Sequence, residues 1–285
     1  GLTALPQDDP FTLQNLGDII TLGGVGEFSA IDLPKVLAGK KVSVAPYIST
    51  YSEGMNGTCS PKDLETMMQL IHLYFTAPRA DQEVFQSTME RTKAMLKNME
   101  LNPNLTLSDS ITKVLYNNHP LRLRMNVEDY DKVDYAKAME MYKDRFADPN
   151  NFVFTFVGNI DVETFKPLVE QYLGSLKKNK RKENWSDVGL GVVDGDYSAH
   201  YTKEMQDPKT SVYMIYTGDM EYNLYNNIYM GVLSDVLDIV YTKSIREEQG
   251  GTYGVGVMGQ INNRPTEEFM FYIAFDTNDE VYATL

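Results

Sequence analysis

Ile239-Val240-Tyr241-Thr242-Lys243-Ser244-Ile245-Arg246-Glu247-Glu248-Gln249-Gly250-Gly251-Thr252-Tyr253-Gly254-Val255-Gly256-Val257-Met258-Gly259-Gln260 reads as a helix end, a glycine turn and a strand. Gly250 and Gly251 can both take positive φ, which ends the helix and redirects the chain. Arg246 then falls in the last helical turn and Tyr253 among the first residues of the strand. A guanidinium offers a charged fork of donors and a phenol offers a hydroxyl, so the two together can grip a peptide carbonyl or a carboxylate. A plainer reading stands beside this one: an arginine near a helix C-terminus complements the dipole, and a tyrosine in a strand is ordinary packing.

Upstream of the turn, a long helix is expected from about Asn223 to Arg246, with Ile228, Val232, Leu233, Val236, Leu237 and Val240 as its apolar stripe. Two alternating runs come before it, Ala199 to Met205 and Ser211 to Tyr216, separated by Asp207-Pro208. Two strands follow it, Tyr253 to Gln260 and Phe269 to Phe275. Asn278-Asp279-Glu280 resembles the start of another helix, so this second unit is expected to be incomplete and the chain a piece of something longer.

The first part of the chain is richer in helices. Short helices are expected around Leu13 to Ile20 and Asp32 to Leu37, then a strand over Lys41 to Tyr51 with a tight turn at Asn56-Gly57. Ser60-Pro61-Lys62-Asp63 is a helix start. Further helices are expected from Asp81 to about Lys97, Ser108 to Tyr116, Asp134 to Phe146 and from the Asp161 cap onward, the last with Val162, Phe165, Val169, Tyr172 and Leu173 inward. Met67, Met68, Met89, Met95, Met139 and Met141 read as core filler. The apolar run Phe152 to Val157 reads as a strand buried on both faces. Lysine, asparagine, glycine and aspartate dominate from about Leu176 to Gly195. The expected organisation is therefore a domain over residues 1–178, a linker over 179–195 and a second, truncated domain over 196–285. Adjacent strands and separate helices make each an α+β unit, a mostly antiparallel sheet packed against helices.

Composition excludes several functions. With 285 residues, 42% apolar and 23% charged, the chain suits about two globular domains. A net charge of −14 opposes a nucleic-acid surface, and the one basic cluster, Lys177, Lys178, Lys180, Arg181 and Lys182, reads as a solvated connector. No apolar run approaches a membrane span. Cys59 stands alone, so no intrachain disulfide forms, which leaves the compartment open because many bacterial periplasmic proteins also lack them. His72, His119 and His200 are far apart and none sits in an H-x-x-E-H or H-E-x-x-H pattern. There is no G-x-S-x-G elbow and no phosphate loop, and Gly23-Gly24-Val25-Gly26 lacks the context of a dinucleotide fingerprint.

Three stretches resemble one family, the pitrilysin and insulysin group of inverzincin zinc peptidases, which includes the mitochondrial processing peptidases. Phe152 to Asp161 resembles its apolar strand, glycine and acid-capped helix. Ile245 to Gly254 resembles its late motif, with a tyrosine seven positions after an arginine. Ser60 to Arg79 resembles a helix ending in its Phe-Thr-x-Pro-Arg turn. The resemblance implies repeated α+β domains whose halves close around an unfolded peptide. One half holds zinc and the other, without metal, supplies an arginine and a tyrosine to substrate. Carried over, these are Arg246 and Tyr253. Where the zinc helix would fall, the chain reads Gln14-Asn15-Leu16-Gly17-Asp18 and lacks the ligands. The expectation is a metal-free half of a zinc endopeptidase, inactive alone, with zinc on a partner half in the same chain or another subunit. The alternative is a non-catalytic binding or scaffold subunit. No membrane or nucleic-acid partner is expected, and a bacterial periplasm or cell envelope is the address carried forward.

Overall fold

The computed structural model describes residues 1–285 except 101, 180, 181, 184, 185, 206–208 and 283–285. Asp207-Pro208 and two members of the basic cluster, Lys180 and Arg181, lie outside the described residues. The chain divides into two compact units, Gly1–Tyr197 and Ser198–Leu285. Helices and antiparallel sheets make up both, an α+β architecture.

The helices of the first unit begin where short polar side chains satisfy their free N–H groups. Asp9, Asp81, Asp134 and Asp161 each accept a backbone N–H at the start of α1 (Pro10–Ile19), α4 (Gln82–Met99), α6 (Tyr135–Arg145) and α7 (Val162–Tyr172). Between them lie α2 (Leu33–Val36), the hairpin β1 (Val42–Ile48) and β2 (Glu53–Cys59), α3 (Leu64–Thr76) and α5 (Pro103–Leu115). α1 buries Leu13, Leu16 and Ile19 completely, and each such side chain stabilises the fold by about 1.5–3 kcal/mol. They meet Tyr135, Ala138, Met139 and Tyr142 of α6 in one core, while α3 carries a second one with Met67, Met68, Leu70 and Ile71. The Phe75-Thr76-Ala77-Pro78-Arg79 turn is latched to the glycine loop ahead of it. Arg79 donates to the Gly23 carbonyl at 2.7 Å, and Val25 bridges Pro78.

Several expectations for this unit are corrected. Asn56 and Gly57 lie inside β2, opposite Ala45 and Val44, and the hairpin turns at residues 49–52, where Ser49 N–H donates to the Ser52 carbonyl at 2.8 Å. Gly57 serves close approach instead, since a Cβ there would stand 3.3 Å from both Met67 Sδ and the Ser43 carbonyl. Phe152 to Val157 is not a strand. Val153 and Val157 are each 93% exposed, while Phe152 stacks among Phe75 and Phe146 and Phe156 meets Phe165. One face is therefore packed and the other open, and no ladder forms among the described residues. Met95 is exposed at 58% rather than buried, as is Val162 at 68%. The segment expected as a linker lies against the first unit: His119, Arg122 and Leu115 bond the backbone of Val188, Leu190 and Val193.

The second unit is a three-stranded antiparallel sheet in the order β3 (Thr210–Asp219), β5 (Glu268–Thr277), β4 (Val255–Asn262), with helix α8 (Leu224–Tyr241) between β3 and β4 in sequence. Central β5 alternates, burying Phe271, Ile273 and Phe275 on one face. Residues 199–205 form no strand, so β3 is the first strand of this unit. α8 also departs from its expected orientation. Ile228, Val232, Leu233, Val236 and Val240 are about half exposed or more, and the helix meets the core through Met230, Leu237 and, just past it, Ile245. Gly259 explains the choice, because a Cβ there would come within 2.3 Å of Met230 Sδ. The absent side chain on β4 is the socket into which Met230 fits.

Candidate functional site

Past Tyr241 the helix widens. Thr242–Glu248 is π-helical, a form found mostly as short segments and often at functional sites. Ile245 anchors this turn in the core at 2% exposure, and the next residue, Arg246, is exposed. Gly250 then takes φ +62° and Gly251 N–H donates to the Ile245 carbonyl at 3.0 Å, a left-handed C-terminal closure. Only Gly250 of the two glycines uses positive φ. Tyr253 lies two residues ahead of β4 rather than within it and is 99% exposed. Neither Arg246 nor Tyr253 makes a side-chain hydrogen bond or ion pair among the described residues. Tyr253 is thus not used in packing, and its plain reading as a packed strand residue does not hold.

The backbone that carries them is tied down. Thr252 Oγ1 donates to the Asp276 carbonyl at 2.6 Å and accepts from Gly254 N–H at 3.3 Å, joining the turn to the end of β5. Thr277, buried at 8% exposure, donates its hydroxyl to the Gly251 carbonyl. Asp276 is itself held at its side chain, where Lys209 Nζ and Ser211 Oγ donate at 2.6 and 2.5 Å. Burial opposes its charge, but these two donors win and keep its carboxyl below the usual range. Sequence reasoning passed over both threonines. A hydroxyl next to a glycine turn was a visible signal for Thr252. Thr277 offered none, since its role exists only once β5 has brought its end beside the turn.

The described residues of this chain do not fit a zinc site. His72 Nδ1 lies 2.7 Å from the Tyr172 carbonyl, His119 Nε2 lies 2.9 Å from that of Val188, and the His200 ring tilts against Tyr282. On α1, the Asn15 amide is spent on the Phe11 carbonyl and Met125 Sδ, and Gln14 on the Pro120 carbonyl. Among the described residues no three His, Cys, Asp or Glu side chains converge. Burial, then the nearby Asp63 charge, pushes the Cys59 thiol up, away from the thiolate that nucleophilic chemistry needs. A cavity of 490 Å³ opens in the first unit between β2, α3 and residues 151–160, lined by Glu53, Cys59, Met67, Ile71, Phe75 and Val153 among others. Arg246 and Tyr253 are not among its walls. No helix of the described chain is long and apolar enough to cross a membrane.

The chain is 19% identical over 255 residues to the probable zinc protease PqqL of Haemophilus influenzae, covering 90% of this chain and 27% of that protein. It is 26% identical over 204 residues to the zinc protease PQQL-like of Arabidopsis thaliana, covering 68% of this chain and 21% of that protein. The chain thus spans about a quarter of the length of these relatives. Among solved structures, the periplasmic protease PqqL from Escherichia coli superposes with a TM-score of 0.82 at 19% identity, over 100% of this chain and 31% of that one. A peptidase M16 inactive domain from Pseudomonas fluorescens superposes with a TM-score of 0.67 at 16% identity, over 99% and 68%. The family description "Peptidase M16 inactive domain" matches residues 132–285, more than half of the chain and the whole of the Arg246 to Tyr253 turn, so the chain belongs to that family.

Proposed function

We propose that this chain is the metal-free half of a zinc endopeptidase and that Arg246 and Tyr253 receive an extended peptide substrate opposite a zinc-bearing half located elsewhere. The observation that carries the proposal is the pairing of two exposed, unengaged polar side chains on a backbone that is tied down between them. A guanidinium and a phenol with no internal partner are free to donate to a peptide carbonyl, and a backbone already tied down need not be ordered when the substrate arrives. Membership of the inactive M16 domain and likeness to part of PqqL support the division into two halves. The same likeness supports a periplasmic address, which fractionation of the producing cell checks.

In this reading Arg246 and Tyr253 hold the substrate backbone and donate to the oxygen on which negative charge develops. Arg246→Ala, in the protein that carries both halves, is expected to lower kcat/KM on a peptide substrate by about 100-fold, the loss typical of one such donor. The chain of residues 1–285 alone is expected to cleave nothing, with or without a chelator. A near-normal kcat/KM for Arg246→Ala would remove the assignment, and a co-purifying chain without H-x-x-E-H would favour a scaffold subunit.

A further inference from the structure

The Arg246 and Tyr253 side chains present a physical problem: two long, exposed groups with no side-chain hydrogen bond of their own must nevertheless stand in a defined geometry. Packing does not provide it for Tyr253, which is 99% exposed, so the backbone sets where that side chain starts and in which direction it leaves. Glycine makes that backbone harder to hold. Gly250, Gly251 and Gly254 surround the turn, and nothing stands within 4 Å of a Cβ built on Gly250 or Gly254. A turn this open and this rich in glycine has high conformational entropy unless it is tied.

The ties are few, and two of them lead to the end of β5. Gly251 is held at both ends, its N–H on the Ile245 carbonyl at 3.0 Å and its carbonyl under the Thr277 hydroxyl. The Thr252 hydroxyl donates to the Asp276 carbonyl at 2.6 Å, with the Gly254 carbonyl also in reach at 2.9 Å, and accepts from Gly254 N–H. Asp276 and Thr277 are adjacent on β5, opposite Ser211 and Thr210 of β3. Arg246 follows the residue that anchors Gly251, and Tyr253 follows Thr252 directly. The end of β5 is therefore the reference against which both groups are placed.

We propose that Thr252 and Thr277 are the positioning residues of the substrate-binding pair: their hydroxyls clamp the glycine turn to the end of β5 and so set the separation and direction of Arg246 and Tyr253. The proposal rests on the reading of that pair as the substrate-binding groups. Neither threonine touches substrate; each acts through the backbone. A clamp of this kind does its work when charge develops on the substrate oxygen, because a loosened donor still meets a bound peptide but meets the transition state poorly.

The test uses the protein that carries both halves, assayed on a peptide substrate. Thr252→Val keeps the shape and removes the hydroxyl, and is expected to lower kcat/KM by about tenfold, the loss falling on kcat rather than KM. Thr252→Ser restores the hydroxyl and is expected to return activity to within about twofold. In an R246A/Y253F background, Thr252→Val is expected to have no further effect, since nothing remains to be positioned. Thr277 is buried, so Thr277→Ser is its control for Thr277→Val. If Arg246→Ala is crippled while Thr252→Val retains wild-type kcat/KM, the clamp is wrong and the substrate-binding assignment stands. If Thr252→Val costs as much in the R246A/Y253F background as in the wild type, its role is general folding and the clamp is again overturned. If Arg246→Ala is itself near normal, the assignment falls and the clamp with it.

Discussion

Arg145 sits in the last turn of α6 at 4% exposure, its guanidinium shared between Glu53 at the start of β2 and Glu183. A buried cation is tolerable only with such partners, because desolvation costs several kcal/mol per ion. Arg145→Ala removes the buried cation that Glu53 and Glu183 share, so urea unfolding is expected to show the first unit destabilised by about 3–5 kcal/mol. Tyr253 is the opposite case. Its side chain touches almost nothing, and Tyr253→Phe is expected to change stability by less than about 0.5 kcal/mol, as surface substitutions usually do. A loss above about 1 kcal/mol in the same titration would mean that the phenol supports the fold rather than standing ready for a ligand.

At the level of elements, residues 152–157 and α8 show where local pattern stops being informative. Several helix starts were legible because the capping aspartates act on their own N–H groups a few residues away; Asp81, Asp134 and Asp161 need no tertiary context, while Asp9 was passed over and α1 begins three residues earlier than expected. The Arg246 to Tyr253 turn was legible for the same reason, as glycine chemistry is local. The Asn56-Gly57 pair failed because the serines at 49 and 52 supply the hairpin turn and the glycine is needed for its lack of a Cβ. The buried face of α8 could not be read, since a helix apolar on nearly every side has no unique stripe and the choice was made by Gly259 on another element. For residues 152–157 the composition implied a ladder that the fold does not form. Amide hydrogen exchange checks this directly: Val153 to Val157 are expected to exchange far faster than Ala45 and Tyr47, whose N–H groups face β2 in the hairpin. Protection equal to that of the hairpin would show that this segment is paired after all.

Across the whole molecule, carboxylates held below their usual range link stability to acidity in both units. For Glu53, burial works against the charge, but the hydrogen bonds and attraction of Arg145 and of the Gly1 ammonium outweigh it and lower its pKa. Asp276 in the second unit is lowered by Lys209 and Ser211 in the same way. A carboxylate with a depressed folded pKa binds fewer protons folded than unfolded, so its contribution is complete above the unfolded value and is lost as pH falls through the folded one. For Glu53 that loss begins below about pH 4.5, its ordinary value. Acidification also trims the net charge of −14, and easing self-repulsion pushes the other way. A single stability curve mixes the two effects, whereas the difference between wild type and Glu53→Gln largely cancels the shared one. That difference, read from urea midpoints, is expected to be largest at pH 7 and to shrink as pH drops below about 4.5, because the protonated wild-type side chain then resembles glutamine. A gap that stayed constant down to pH 3 would mean that Glu53 is not held ionised by Arg145, and the acid sensitivity of the first unit would have to come from other groups.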